Sequence, residues 1–389
     1  MIEAWRHALR DPKRNDVKQL ARMADEKIMR PVRALVGNAT RLLVSPDGVL
    51  NLIPFEALVD EQGRFLIERY VFTYLTSGRD LLRMQVTTST KGKPLVVANP
   101  SFGEAPIEQL ASAGKPAPRY RRQSVTAAHN LSEVYFAPLN ATELEARNIH
   151  LLYPEANVLT GRQANEAALK QMAAPRVLHI ATHGFFLEEG EVSDSDKALV
   201  VVNAAASNAS SRAGMDRSLQ PDNRSGVITA GGPVFFQDFG ANTRIENPLL
   251  RSGLALAGAN RRDAELGEDG ILTALEASGL NLWGTKLVVL SACDTGLGEV
   301  RNGEGVYGLR RAFVLAGAES LVMSLWPVSD YATRNLMINY YKNLKLGMGR
   351  GAALRPVQLD LLKRDKQLHP FYWANFIQAG DWANLDGKR

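Results

Sequence analysis

Apolar residues recur at helical spacing through residues 14–36, at Val17, Leu20, Ala21, Ala24, Ile28, Val32 and Leu35, and predict an amphipathic helix. Arg41–Val44 reads as a strand, followed by the turn Ser45-Pro46-Asp47-Gly48 and a return strand over Val49–Ile53. Val71–Leu75 and Leu95–Ala98 are further strands, and a helix opens at Leu81. The polar stretch from Pro100 to Gln123 predicts a surface loop. The second half alternates more clearly. Helices are expected at Ala164–Met172, Ile271–Ser278, Val306–Ala316, Tyr331–Leu344 and Ala352–Leu368. Strands are expected at Val177–Ala181, Ala198–Val202, Leu287–Leu290, Ser320–Trp326 and Phe371–Gln378. Residues 204–232 are low in complexity and read as a mobile insertion. Strands alternating with helices predict an α/β protein, a mostly parallel sheet flanked by helices.

Composition narrows this further. With 45% hydrophobic and 22% charged residues in 389, the chain has a globular balance and is not broadly disordered. No apolar run approaches the ~18–20 residues a membrane helix requires, and the charged start MIEAWRHALR has no secretory apolar core. The single Cys excludes an internal disulfide framework and any CxxC metal site, which makes a reducing, cytoplasmic compartment the expectation. The formal charge is +5, and residues 1–33 carry nine Lys/Arg against five Asp/Glu. Such an excess is commonly a solvated face, so no nucleic-acid or membrane partner is expected.

In parallel sheets, working residues sit where strands end at their carboxyl rim. Two strand ends carry chemistry. Val177–Ala181 runs into Thr182-His183-Gly184, and Leu287–Leu290 runs into Ser291-Ala292-Cys293-Asp294-Thr295-Gly296. If the two strands are parallel neighbours, an imidazole and a thiol emerge on one rim. A free thiol has a pKa near ~8.5, so a nearby base must take its proton to make the nucleophile. The N–H groups of Gly184 and Cys293 would then meet the charge that develops on an attacked carbonyl, as an oxyanion hole. A lone Cys at a strand end is, on its own, more often a small buried hydrophobe. His179, mid-strand, reads as a packed core histidine.

The blocks HIATHG at 179–184, SACDTG at 291–296, GEGVYGLRRAFVLAGAESLVMSLWPVSD at 303–330 and HPFYWANFIQAG at 369–380 resemble the CHAT family, caspase-like cysteine peptidases related to separase. LLVSPDGVLNLIPFEAL at 42–58 and SGRDLL at 77–82 match as well, so the likeness runs from about Ile28 to Asp381. The resemblance implies a caspase-hemoglobinase fold with a degenerate N-terminal lobe. On that basis residues 1–34 form a helical segment, 35–165 the pseudo-caspase lobe and 166–384 the catalytic lobe, with a mobile insertion at 187–247. It also implies a Cys-His dyad of Cys293 and His183. No residue is assigned to orient His183.

The implied function is a cysteine endopeptidase that hydrolyses peptide bonds in a protein substrate. The resemblance suggests bacterial stress or immune signalling, under a regulatory partner or sensor that carries the tetratricopeptide repeats this chain lacks. Separase-like relatives hold a basic substrate side chain with an acid. Asp330 and Asp294 are the candidates here, with Trp326 as a pocket wall. Asp330 fits equally well as the N-cap of the helix after it. Trp283, Trp373 and Tyr372 read as core or pocket walls. Gly303-Glu304-Gly305-Val306-Tyr307-Gly308 matches GxGxxG but lies too far beyond its strand for a dinucleotide fingerprint. Neither cofactor nor metal is implied. The alternative is a catalytically silent caspase-like interaction module.

Overall fold

A computed structural model describes residues 1–86, 88, 92–103, 135–186, 228–229, 232–233, 247–261, 268–291, 299–301, 305–326, 330–364 and 369–389. Contacts divide the chain into two units. One comprises Met1–Glu188 with Pro248–Arg389, and the other is Glu189–Asn247. In the second, β7 (Ile228–Thr229) and β8 (Gly232–Pro233) pair as a short hairpin.

The first unit is built on one eight-stranded sheet. Its strands are β1 (Arg41–Val44), β2 (Val71–Tyr74), β3 (Leu95–Pro100), β4 (Asn157–Gly161), β5 (Val177–Ala181), β11 (Leu287–Leu290), β14 (Ser320–Ser324) and β15 (Phe376–Gly380), in the order β1-β2-β15-β14-β11-β5-β3-β4. Every neighbouring pair is parallel except β14 with β15. The sheet is therefore mostly parallel, as the alternating pattern predicts. The single antiparallel junction divides it: β14, β11, β5, β3 and β4 run one way, and β15, β2 and β1 the other.

Alternation along the central strands feeds two cores. Leu178, Ile180, Val288 and Leu290 face one layer, with helices Ala274–Ser278 and Leu309–Leu315. Val177, Ala181, Leu287 and Val289 face the other, with helices Asn140–Leu152, Asp330–Lys345 and Arg350–Arg364. All four residues of β11 are 0% exposed. An apolar run covered on both faces is the signature of a central parallel strand. Burying each such side chain stabilises the fold by about 1.5–3 kcal/mol.

At the chain's start, helix Ile2–Arg10 packs Trp5, Ala8 and Leu9 inward, ahead of the predicted helix, which spans Val17–Val36. The basic residues here pair locally: Arg22 with Asp25 and Glu26, and Arg33 with Asp25 and Glu61. Among the described residues, no helix is long and apolar enough to cross a membrane.

Several elements depart from the sequence pattern. Residues 48–52 form a 3₁₀ turn rather than a return strand. Gly48 takes φ +55°, and the Asn51 side-chain amide donates to the Pro46 carbonyl at 2.8 Å, which curls the segment on itself. Residues 271–273, expected to open a helix, form a strand, and the helix starts after Thr273, whose hydroxyl and Glu276 make a reciprocal cap. Gly305–Tyr307 is likewise extended, and the helix begins only beyond Gly308. The last strand starts at Phe376, five residues later than expected. Before it, His369 Nδ1 accepts the Phe371 N–H at 3.1 Å and winds Pro370–Tyr372 into a 3₁₀ turn. The expected strand at Ala198–Val202 and residues 104–123 of the expected surface loop lie outside the described residues.

A second, three-stranded sheet stands beyond the end of β5. Its order is β10 (Ile271–Thr273), β9 (Ser252–Ala255) and β6 (Gly184–Phe186), all antiparallel. β12 (Glu299–Arg301) and β13 (Gly305–Tyr307) pair separately.

Candidate active site

β5 and β11 are parallel neighbours, with Val177 level with Leu287 and Ile180 level with Leu290. His183 stands three residues beyond Ile180, as Cys293 stands three beyond Leu290. The Ser291 N–H still bonds the Ile180 carbonyl at 2.9 Å, which carries the pairing past the last ladder position. Cys293 and Asp294 lie outside the described residues.

His183 ends β5 and turns the chain into β6. Its carbonyl accepts the Ala255 N–H at 2.9 Å, which ties the turn to β9. The imidazole is half-buried between two rings, Phe102 at 5.3 Å and Phe136 at 5.8 Å between centroids. Its Nε2 lies 2.8 Å from the Ala137 carbonyl oxygen. A carbonyl only accepts, so Nε2 carries a proton and is the donor in this contact. One partner that orients His183, for which the sequence offers no candidate, is a backbone carbonyl 46 residues earlier in the chain. No side-chain pattern marks such a group.

Phe102, Phe136 and Phe185 form a small core with Ala255, Ala259 and Ile271 beneath this site. Asn260, 4% exposed, is its polar member. The Asn260 Oδ1 accepts the Phe136 N–H at 2.9 Å, while Nδ2 donates to Phe136 O at 3.0 Å and Gly103 O at 3.1 Å.

Two further candidates, Trp326 and Asp330, follow β14. Trp326 is 2% exposed, packs in the core and donates its indole N–H to Phe371 O at 3.0 Å. Asp330 is the first residue of helix Asp330–Lys345. Trp373 is fully buried, whereas Trp283 is 62% exposed, beside the turn at Gly284, rather than in a core or pocket. His179 is the core histidine expected. It is 0% exposed, its Nδ1 is 3.1 Å from Tyr341 Oη, and its Nε2 is 3.0 Å from Glu145 Oε1. That last contact does not meet hydrogen-bond geometry. Among the described residues, no group of three or more His, Cys, Asp or Glu could hold a metal ion.

Behind the small sheet, Glu166 is buried and accepts the Gly270 N–H at 2.6 Å. Lys170 Nζ sits 3.0 Å from Glu166, 2.9 Å from Glu268 and 3.0 Å from Glu276. Burial, then the neighbouring Glu268, raise the Glu166 carboxyl to about 8 against the opposing pull of Lys170.

The CHAT domain family model matches residues 18–381. The chain belongs to the CHAT-domain family. Tetratricopeptide repeat protein 28 of Homo sapiens is 25% identical over 353 residues, which is 90% of this chain but 12% of that protein. Its Mus musculus counterpart is 33% identical over 116 residues, 30% of this chain and 5% of that one. This CHAT domain therefore spans about an eighth of the human relative's length. Among solved structures, the Arg-specific cysteine proteinase gingipain R aligns over 97% of this chain and 70% of its own, at 9% identity and a TM-score of 0.41.

Proposed function

We propose that this CHAT domain is a cysteine endopeptidase, with Cys293 as nucleophile and His183 as its base. The observation that carries the reading is the register of β5 on β11, which brings the two strand ends to one rim. The protonation of His183 supports it. With its proton on Nε2 toward Ala137, the ring offers Nδ1 to accept the thiol proton. The thiolate sulfur attacks the scissile carbonyl carbon and the C=O π pair moves to oxygen. Collapse expels the amine, which takes its proton from the imidazolium. Water, deprotonated by the same imidazole, then hydrolyses the thioester and restores the thiol.

The Gly184 N–H is one oxyanion donor in this reading, with that of Cys293. Because the Ala255 N–H bonds the His183 carbonyl, alternation in the antiparallel β6–β9 ladder turns the Gly184 N–H away from β9. β6 is the edge strand of its sheet, so that N–H points to the side where a substrate strand would lie. Asp330 or Asp294 as the acid for a basic substrate side chain, and Trp326 as a wall beneath it, belong to the same proposal. So does control by a tetratricopeptide-repeat segment in this or another polypeptide, which the names of the human and mouse relatives support.

The test is a peptide-library cleavage profile of the protein against Cys293→Ala. Cleavage by the first and none by the second is expected, with the preferred residue reporting the pocket. Equal profiles, or full biological activity in Cys293→Ala, would leave the silent interaction module.

A further inference from the structure

We infer that Asn260 is the positioning residue of His183: one buried side-chain amide that fixes the carbonyl and both rings around the imidazole. Its catalytic meaning rests on the peptidase reading above. An asparagine amide offers two N–H donors and one acceptor oxygen, and here all are engaged. Oδ1 takes the Phe136 N–H, one donor goes to the Phe136 carbonyl and one to the Gly103 carbonyl. The main-chain N–H of Asn260 adds a fourth bond, to the Phe102 carbonyl at 2.8 Å. The side chain thus pairs with both backbone groups of Phe136 as a neighbouring strand would. That network also fixes which amide atom is oxygen, because only Oδ1 can meet an N–H.

The consequence reaches the imidazole in one step. Ala137, the residue after Phe136, carries the carbonyl that accepts the Nε2–H hydrogen bond. The two rings against the imidazole, Phe102 and Phe136, are the residues whose backbone Asn260 holds. Both backbone groups of Phe136 and the carbonyls of Phe102 and Gly103 are thus satisfied by one residue. A shift of about 1 Å in such a support can cost on the order of 10²-fold in rate. Aspartate has the same shape but replaces both donors with a carboxylate oxygen facing two carbonyls. Phe136 and Ala137 would move away from it, and the ring would be free to place its proton on Nδ1.

The experiment uses the full chain labelled with [¹⁵N]histidine. The signals of His183 are identified among the six histidines by their loss in His183→Gln. Expected in the unmodified protein is a neutral His183 protonated on Nε2. In Asn260→Asp, with circular dichroism retained, a mixture of tautomers is expected, together with about a tenfold drop in the rate at which iodoacetamide alkylates Cys293 at pH 7. Asn260→Ser serves if the aspartate variant does not fold. A packing role alone would lower melting temperature without moving the tautomer. Protonation on Nδ1 in the unmodified protein, or an unchanged tautomer in the folded variants, overturns the proposal. If the tautomer moves but alkylation is the same in the unmodified protein, His183→Gln and Asn260→Asp, the positioning of His183 stands and the peptidase reading fails.

Discussion

The Nε2 of His183 lies 2.8 Å from the carbonyl oxygen of Ala137 and donates to it, and in the proposed dyad the other nitrogen is the base. In the proposed dyad this base raises the thiolate fraction of Cys293, which for an unassisted thiol is a few per cent at neutral pH. Removing it with His183→Ala should slow iodoacetamide alkylation of Cys293 at pH 7 by roughly tenfold to thirtyfold. Mass spectrometry of the alkylated peptide over time measures this. Identical time courses would break the dyad.

Stability should fall as pH rises from acid to mildly alkaline. Glu56 is wholly buried and accepts the Tyr74 hydroxyl at 2.7 Å, and burial pushes its carboxyl up from 4.5 to about 7. Glu166 stands at about 8. Both hold a proton in the folded chain where the unfolded chain has lost it, so their contribution is full below pH about 4.5 and is lost through 7 to 8. Glu56→Gln should flatten this slope by up to about 3 kcal/mol. Urea unfolding at pH 5 and pH 8 compares the two proteins, and a stability gap that does not change with pH would refute the assignment.

Arg350 is fully buried at the start of its helix and donates to the Ala383 carbonyl at 2.7 Å and the Lys286 carbonyl at 2.5 Å, with Glu319 at 3.3 Å. It ties the edge of β14 to the chain's last turn. Arg350→Met should cost about 2–5 kcal/mol, because it strands these buried carbonyl acceptors, while Glu319 keeps Lys286 at 2.6 Å. A loss under about 1 kcal/mol by chemical denaturation would show that water replaces the guanidinium.

Gly270 sits at φ +80°, and a Cβ there would lie 2.3 Å from the Ala259 backbone nitrogen. Gly270→Ala should destabilise the protein by at least about 2 kcal/mol. The adjoining Asn260 should feel it, so hydrogen exchange over residues 135–137 should accelerate. Unchanged exchange there would separate the two features.

Much of this architecture is legible in the residue pattern where burial is two-sided. The runs of β5, β11 and β14 declare themselves, and so do the His and Cys that follow two of them. Helix Asn140–Leu152 escapes detection because its buried face includes Thr142 and Glu145 beside Ala146 and Ile149, which leaves no clean apolar stripe. β4 escapes because it is an edge strand with only intermediate burial. The surroundings of His183 are invisible for another reason. They are a backbone carbonyl, two aromatics and an amide drawn from residues 102, 136–137 and 260, and only the fold brings them together.

The strand order also bears on how this molecule is made. The four strands β1 to β4 occur as two pairs at opposite ends of the sheet. β2 has its second neighbour in β15, the last strand of this sheet to be made, and β3 has its own in β5. The β1–β2 pair must therefore wait, with the second edge of β2 uncovered, until residue 380 has been made. A nascent domain of this design depends on protection from its surroundings until its last strand has been made.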